Sequence, residues 1–258
     1  MLTVADIEGA RARIRDYIYE SPCAHSETFS QLTGNKVHFK LENLQMTGSF
    51  KERGAANLLL QLDADERRRG VAAASAGNHG LAVAFHAARL GIPATIVMPT
   101  YAPLIKVTSA RRYGADVILH GANYDEAYER AQAVAAERGA VFVHPFDDAR
   151  VVAGQGTLGL ELLEQLDELD AVLVPVGGGG LIAGVALQDR PGALARLTAL
   201  IAEERANILQ IEHDRAFSRQ PIGSTEVELT LETSGRKHID ALKQRLEAGG
   251  YSVEERGI

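Results

Sequence analysis

Cysteine is nearly absent from this chain of 258 residues: Cys23 stands alone. One thiol excludes a disulfide framework and a thiolate metal cluster, and it fits a reducing compartment such as the cytoplasm. Tryptophan is missing, which bears on no function. No block of one charge sign occurs, although acidic residues (34) outnumber basic ones (27) for a net charge of -7. Without a basic stripe or tail, a nucleic-acid partner is not expected. No uninterrupted apolar run approaches the length of a membrane span, so no membrane partner is expected. The start, MLTVADIEGARARI, reads as an amphipathic helix and lacks the apolar centre of a signal peptide. No compact set of metal ligands stands out.

What is present is enough apolar residue, 46%, for one good core or two modest domains. Helix is predicted over 5–17 and a strand near 37–41. From residue 51 to about 150, short apolar runs alternate with helical stretches. Strands are predicted at VAAAS (71–75), ATIVMP (94–99), ADVILHG (115–121) and AVFVHPF. Helices are predicted over 52–62, 81–91, 103–113, 125–139 and 155–168. That alternation indicates a parallel sheet covered on both faces. AVLVPV (171–176) reads as a further strand.

Beyond residue 188 the pattern changes. Asp189 and Pro191 suit the start of a helix. NILQIEHDR reads as a strand, STEVELTLETSG as an alternating antiparallel strand, RKHIDALKQRLEAGG as an amphipathic helix, and YSVEE as a last short strand. If GVAL (184–187) supplies a first strand, the order is βαββαβ, a small α+β layer with helices on one face.

Three phrases carry chemistry. In MTGSFKERGAAN, Lys51 sits between a strand-and-loop segment and a helix. A lysine there is either an ordinary solvated group or, desolvated at the floor of a cleft, a nucleophile able to form an imine. SAGNHG (75–80) leaves a strand and opens a helix. It reads either as an ordinary tight turn or as an anion site, with Asn78 free to bond an oxygen. His79 is a catalytic candidate whose plainer reading is a packed or solvated histidine. GGGG (177–180) follows an apolar run. A linker would carry serine and charge around such glycines, whereas crowded backbone N–H groups suit a phosphate. The phrase lacks the lysine and hydroxyl of a Walker A loop, and its spacing is not that of a dinucleotide fingerprint. An amine, a phosphate nest and a ring contact together suit pyridoxal 5'-phosphate.

SPCAHSETFSQLTGNKVHFKLENLQMTGSFKERGA, ASAGNHG, ATIVMPTYAPLIKV and PVGGGGLIAG resemble, in order, the threonine ammonia-lyases (threonine dehydratases) of the fold type II pyridoxal-phosphate family. The resemblance covers residues 5–187. It implies an α/β, three-layer core and deamination of L-threonine to 2-oxobutanoate, with L-serine giving pyruvate. It implies that Lys51 carries the cofactor and that Phe50 lies beside its pyridine ring. Asn78 then meets the ring 3-oxygen, and Gly177, Gly178, Gly179 and Gly180 hold the phosphate. Ser75 falls with Lys51 among the catalytic residues, and Ser75, Gly77, Asn78 and His79 fall at the substrate. The tail, with DRPGALARL, resembles an ACT-like regulatory domain. It implies an allosteric amino acid and a homo-oligomer.

The chain departs from the family after residue 187, where GGGGLIAGVAL runs directly into QDRPGALARL. The segment that completes the larger domain, with its pyridine-nitrogen partner, is missing, as after an internal deletion. The expected organisation is a catalytic region at 1–187, with a smaller domain at about 45–150 complete and a larger one truncated, then the ACT-like domain at 188–258. Residues 181–187 are claimed twice, as a helix after the glycine run and as a strand of the tail, and propensity does not decide between them. Two further functions stay open: an inactive homologue that keeps an amino-acid-sensing or dimerising tail, and a serine racemase-like enzyme.

Overall fold

The computed structural model describes residues 2–186, 201, 207–214, 226–233, 235–248 and 253. The chain divides into two compact units, Met1–Leu166 with Pro175–Gln188, and Asp167–Val174 with Asp189–Ile258.

In the first unit a four-stranded parallel sheet is built from β3 (Val71–Ala74), β4 (Ala94–Met98), β5 (Asp116–Leu119) and β6 (Val141–Phe142), in the spatial order β5-β4-β3-β6. Every residue of β3 and β4 is buried, as the continuous apolar runs require of strands covered on both faces. Side chains alternate between the faces. Val71, Ala73, Ile96 and Met98 join a core shared with α3 (Lys51–Leu59), α5 (Asn78–Leu90) and α6 (Leu104–Arg112). Ala74 and Val97 face the opposite way, against Ala127 and Ala131 of α7 (Tyr124–Arg138). Helix, sheet and helix thus form three layers, as expected.

A helical group packs beside this sheet: α1 (Val4–Ile14), α3, α8 (Ala149–Gln165) and α9 (Gly180–Ala186). Its close approaches depend on glycine. A Cβ on Gly54 would come within 2.5 Å of Gln155 Nε2, and one on Gly184 within 2.6 Å of the Gly156 nitrogen. The α3–α8 and α8–α9 crossings therefore leave no room for a side chain at these positions. Buried Arg53 ties α3 to its surroundings: it donates to Glu42 at 2.7 and 2.8 Å and to Glu161 of α8 at 2.5 and 2.8 Å. Strands β1 (Cys23–His25) and β2 (His38–Lys40) form an antiparallel pair. Two short helices were not anticipated, α2 (Glu27–Thr33) and α4 (Ala64–Arg69), each capped by a side chain, Ser26 or Asp63.

Three expectations need correction. The run 171–176 is not a strand but irregular chain, with Leu173 97% exposed. A parallel strand needs neighbours for its N–H and C=O groups, and none pairs with this run among the described residues. GVAL does not begin a strand, because residues through Ala186 belong to α9. The helix expected from 155 starts at Ala149, where Asp148 caps it by accepting from the Arg150 N–H.

In the second unit, β7 (Asn207–Asp214) and β8 (Glu226–Glu232) pair antiparallel, and α10 (Arg236–Ala248) buries Leu242 and Leu246. The helix expected from Asp189 and Pro191, and the strand expected at YSVEE, lie largely outside the described residues.

Candidate active site

Chain order reverses beside β3. Strands β4 and β5 extend the sheet to one side of it, and β6 lies on the other. In open parallel sheets the crevice beyond the carboxyl ends of strands at such a point is where ligands bind. The segments that leave β3 and β6, residues 75–78 and 143–146, border this crevice.

Lys51 is the first residue of α3, delivered by a loop in which Gly48 holds φ at +80°. Its half-buried amine donates to the Pro145 carbonyl at 2.9 Å and lies 5.3 Å from the centroid of the Phe50 ring. Burial pushes its pKa below that of an ordinary lysine, and no acidic group among the described residues opposes the shift. The amine therefore loses its proton more readily than that of an ordinary lysine.

Ser75 continues β3, its N–H donating to Val97 O at 3.0 Å. Its hydroxyl accepts from the Gly77 N–H at 3.1 Å, which leaves the hydroxyl proton for another partner. Gly77 precedes α5, and the space where its Cβ would lie is open. Asn78 opens α5. Its Oδ1 accepts from Lys106 Nζ at 2.9 Å, so its amide N–H groups remain as donors. His79 is buried, and its Nε2 donates to Val143 O at 2.9 Å. Burial holds its pKa down to about 4, so the ring is neutral and packed, in line with its plainer reading.

The glycine run divides by role. A Cβ on Gly178 would run into the Phe146 ring, and one on Gly180 would sit 3.0 Å from Phe146 Cβ. Gly177 and Gly179 face open space, and Gly179 adopts φ +82°, which side-chain-bearing residues rarely adopt. Helix α9 follows directly, with Ala183 N–H returning to Gly179 O.

Sequence reasoning missed the segment that joins these three phrases. Val143 O receives His79, Pro145 O receives Lys51, and Phe146 supports Gly178 and Gly180. His144 lies between them, its ring 4.7 Å from that of Phe146. Its Nδ1 accepts from the Phe146 and Asp147 N–H groups, which leaves Nε2 protonated. Its pKa is lowered, mainly by burial. Pro145, three residues beyond the end of β6, and the aromatic after it were the available signals.

An amine with no counter-ion among the described residues, in a unit that also holds glycines with open space at Gly77, Gly177 and Gly179, fits a phosphorylated aldehyde. The comparisons with known proteins agree. L-threonine ammonia-lyase of Thermotoga maritima is 54% identical over 187 residues, which are 72% of this chain and 47% of that protein. Maize serine racemase superposes with a TM-score of 0.71 at 40% identity, over 76% of this chain and 59% of that one. The processed form of threonine deaminase isoform 2 from Solanum lycopersicum superposes at 0.69 with 43% identity, over 72% and 52%. The chain spans about half the length of the curated relatives it matches. The family model for pyridoxal-phosphate dependent enzymes matches residues 14–255, and the chain belongs to that family.

Proposed function

We propose that this chain is an ammonia-lyase of the threonine type, which converts L-threonine to 2-oxobutanoate and ammonia and L-serine to pyruvate and ammonia. The observation that carries this reading is the desolvated Lys51 amine at the point where strand order reverses. The similarity to L-threonine ammonia-lyase of Thermotoga maritima supports the substrate class.

Bound pyridoxal phosphate supplies an aldehyde for the amine and an electron sink that stabilises negative charge at the substrate α-carbon. Lys51 holds the cofactor, yields to the substrate amine, and then takes the α-proton on Nζ. Its lowered pKa favours both tasks, because more of the amine is free base near neutral pH. The Pro145 carbonyl orients the amine by accepting one N–H. Ser75 offers its hydroxyl proton to the substrate carboxylate while accepting from the Gly77 N–H, and the open space beside Gly77 leaves room for that carboxylate. Asn78 donates an amide N–H to the ring oxygen while Lys106 occupies its carbonyl. Phe50 lies beside the ring. Backbone N–H groups of Gly177 to Gly180 hold the phosphate, with the chain kept close to Phe146 by the missing side chains of Gly178 and Gly180. His79 stays neutral and supports the turn between β3 and α5. The proton taken by Lys51 Nζ balances the one that the β-hydroxyl needs to leave as water, and the lysine amine would then displace the product nitrogen. The freed enamine gains a proton from water at its β-carbon to become an imine, and water adding at the imine carbon releases ammonia.

The organisation proposed is a catalytic region over 1–187 and an ACT-like unit over 188–258 that binds an amino acid and pairs with a second copy. The antiparallel β7–β8 pair and the amphipathic α10 support such a unit. A cytoplasmic location is proposed from the solitary Cys23. No helix among the described residues is long and apolar enough to cross a membrane.

Product analysis tests the reaction. With L-threonine, 2-oxobutanoate and ammonia are expected in equal amounts. D-serine from L-serine without ammonia favours the racemase reading, to which the likeness to maize serine racemase gives weight. Uptake of no cofactor favours the inactive homologue, for which the exposed 171–176 run speaks.

A further inference from the structure

Where α3 meets α5, a buried polar cluster lies outside the reaction just described. Glu52, the residue after Lys51, is fully buried, and so is His86 of α5. Glu52 Oε1 accepts from the Thr47 backbone N–H, in the loop that delivers Lys51. Glu52 Oε2 lies 3.7 Å from His86 Nε2. Glu52 Oε2, both ring nitrogens of His86 and Thr47 Oγ1 have no hydrogen-bond partner among the described residues. The same two helices otherwise give Ala55, Leu58, Ala82 and Val83 to the apolar core.

One carboxylate oxygen and an imidazole, buried with no hydrogen-bond partner among the described residues, destabilise the fold until they are satisfied. Closure of the 3.7 Å gap by about 0.7 Å would make an ordinary N–H···O bond and satisfy one atom of each. The placement suggests what that bond does. Glu52 grips the chain before Lys51 through Thr47 and directly adjoins Lys51 on the other side. His86 sits on the helix that opens with Asn78, about two turns further along. One bond thus connects the elements that carry the amine and the amide.

We propose that Glu52 and His86 are a buried positioning pair: bonded to each other, they fix the Thr47–Lys51 segment against α5 and thereby aim Lys51 Nζ at Pro145 O. The value of that aim for catalysis rests on Lys51 being the cofactor lysine; the aim itself does not.

The test uses the full chain without cofactor. Competitive acetylation across pH, read by mass spectrometry, gives the titration midpoint of Lys51. The two imidazoles near the amine, His79 and His144, are already neutral where lysine titrates, since burial lowers both. Glu52→Ala and His86→Ala are expected to move the midpoint toward that of an ordinary lysine, cutting the free amine near neutral pH by about fivefold or more. Glu52→Gln keeps an oxygen for Thr47 and offers an N–H to His86, so it should stay within about twofold of the parent. Leu58→Ala, a core truncation elsewhere on α3, should lower the melting temperature and leave the Lys51 midpoint in place. Alanine variants that match Leu58→Ala, or a Glu52→Gln chain as damaged as Glu52→Ala, overturn the proposal. Should the alanine variants not fold, the parent decides through its His86 ring nitrogen spectrum: a hydrogen-bonded Nε2 supports the pair, and a free one overturns it. A parent that takes up no pyridoxal phosphate while the midpoints shift as described ends the catalytic reading and keeps the positioning pair.

Discussion

The Lys51 amine donates to the Pro145 carbonyl across 2.9 Å, joining the first residue of α3 to the turn that follows β6. Burial lowers its pKa and no acidic group among the described residues offsets that, so the folded state holds the Lys51 cation at a cost. Lys51→Met should therefore raise stability near neutral pH. Below the folded-state pKa both states are protonated, and the cost is fully present. Between that value and 10.5 the unfolded chain binds the extra proton, so parental stability rises with pH and the gap closes. Denaturant melts of both chains from neutral to alkaline pH check this, and a parent more stable than the variant at neutral pH contradicts it.

His79 predicts the acid limb. Its folded pKa of about 4 lies below the ordinary 6.5, so the unfolded chain takes up a proton first as pH falls. The group contributes nothing above pH 6.5, and it costs up to about 3 kcal/mol as pH falls from there to 4. His79→Gln keeps a donor for Val143 O without that proton. Its stability should fall less steeply over this window, and equal slopes in urea titrations contradict the assignment.

The glycine run should separate by variant. Gly178→Ala drives a methyl into the Phe146 ring and should cost about 1–3 kcal/mol. Gly177→Ala enters open space, so stability should change by less than about 0.5 kcal/mol while cofactor affinity falls. Thermal melts with and without pyridoxal phosphate distinguish them. Equal destabilisation by both variants contradicts the division of roles.

Arg53 neutralises two carboxylates, that of buried Glu161 and that of partly buried Glu42. Burial alone would raise the Glu42 carboxyl, but hydrogen bonds and charge from Arg53 outweigh it and hold it below the usual carboxylate range. Arg53→Met leaves Glu42 without its buried cation and Glu161 with Lys40 alone, at a cost of about 3–5 kcal/mol. A denaturation midpoint unchanged from the parent would show that the network contributes little.

The parallel sheet was legible because strands buried on both faces, such as ATIVM, leave continuous apolar runs between helical stretches. AVLVPV has the same local signature, and yet it forms no strand, since pairing depends on neighbours that composition does not report. Lys51, Asn78 and the glycines stood out because reactive or conformationally special residues sit at element boundaries. The segment 143–146 did not, because two of its contributions are backbone carbonyls, which every residue has, and Phe146 reads as an ordinary core aromatic. The Glu52–His86 pair was equally hidden: 34 positions separate two residues that only the packing of α3 on α5 brings together.

Reduction with borohydride after incubation with pyridoxal phosphate, followed by peptide mass spectrometry, tests the central claim most directly. The cofactor should be fixed to the peptide that carries Lys51, and Lys51→Ala should abolish it. Labelling spread over surface lysines, or retained in Lys51→Ala, would contradict the account.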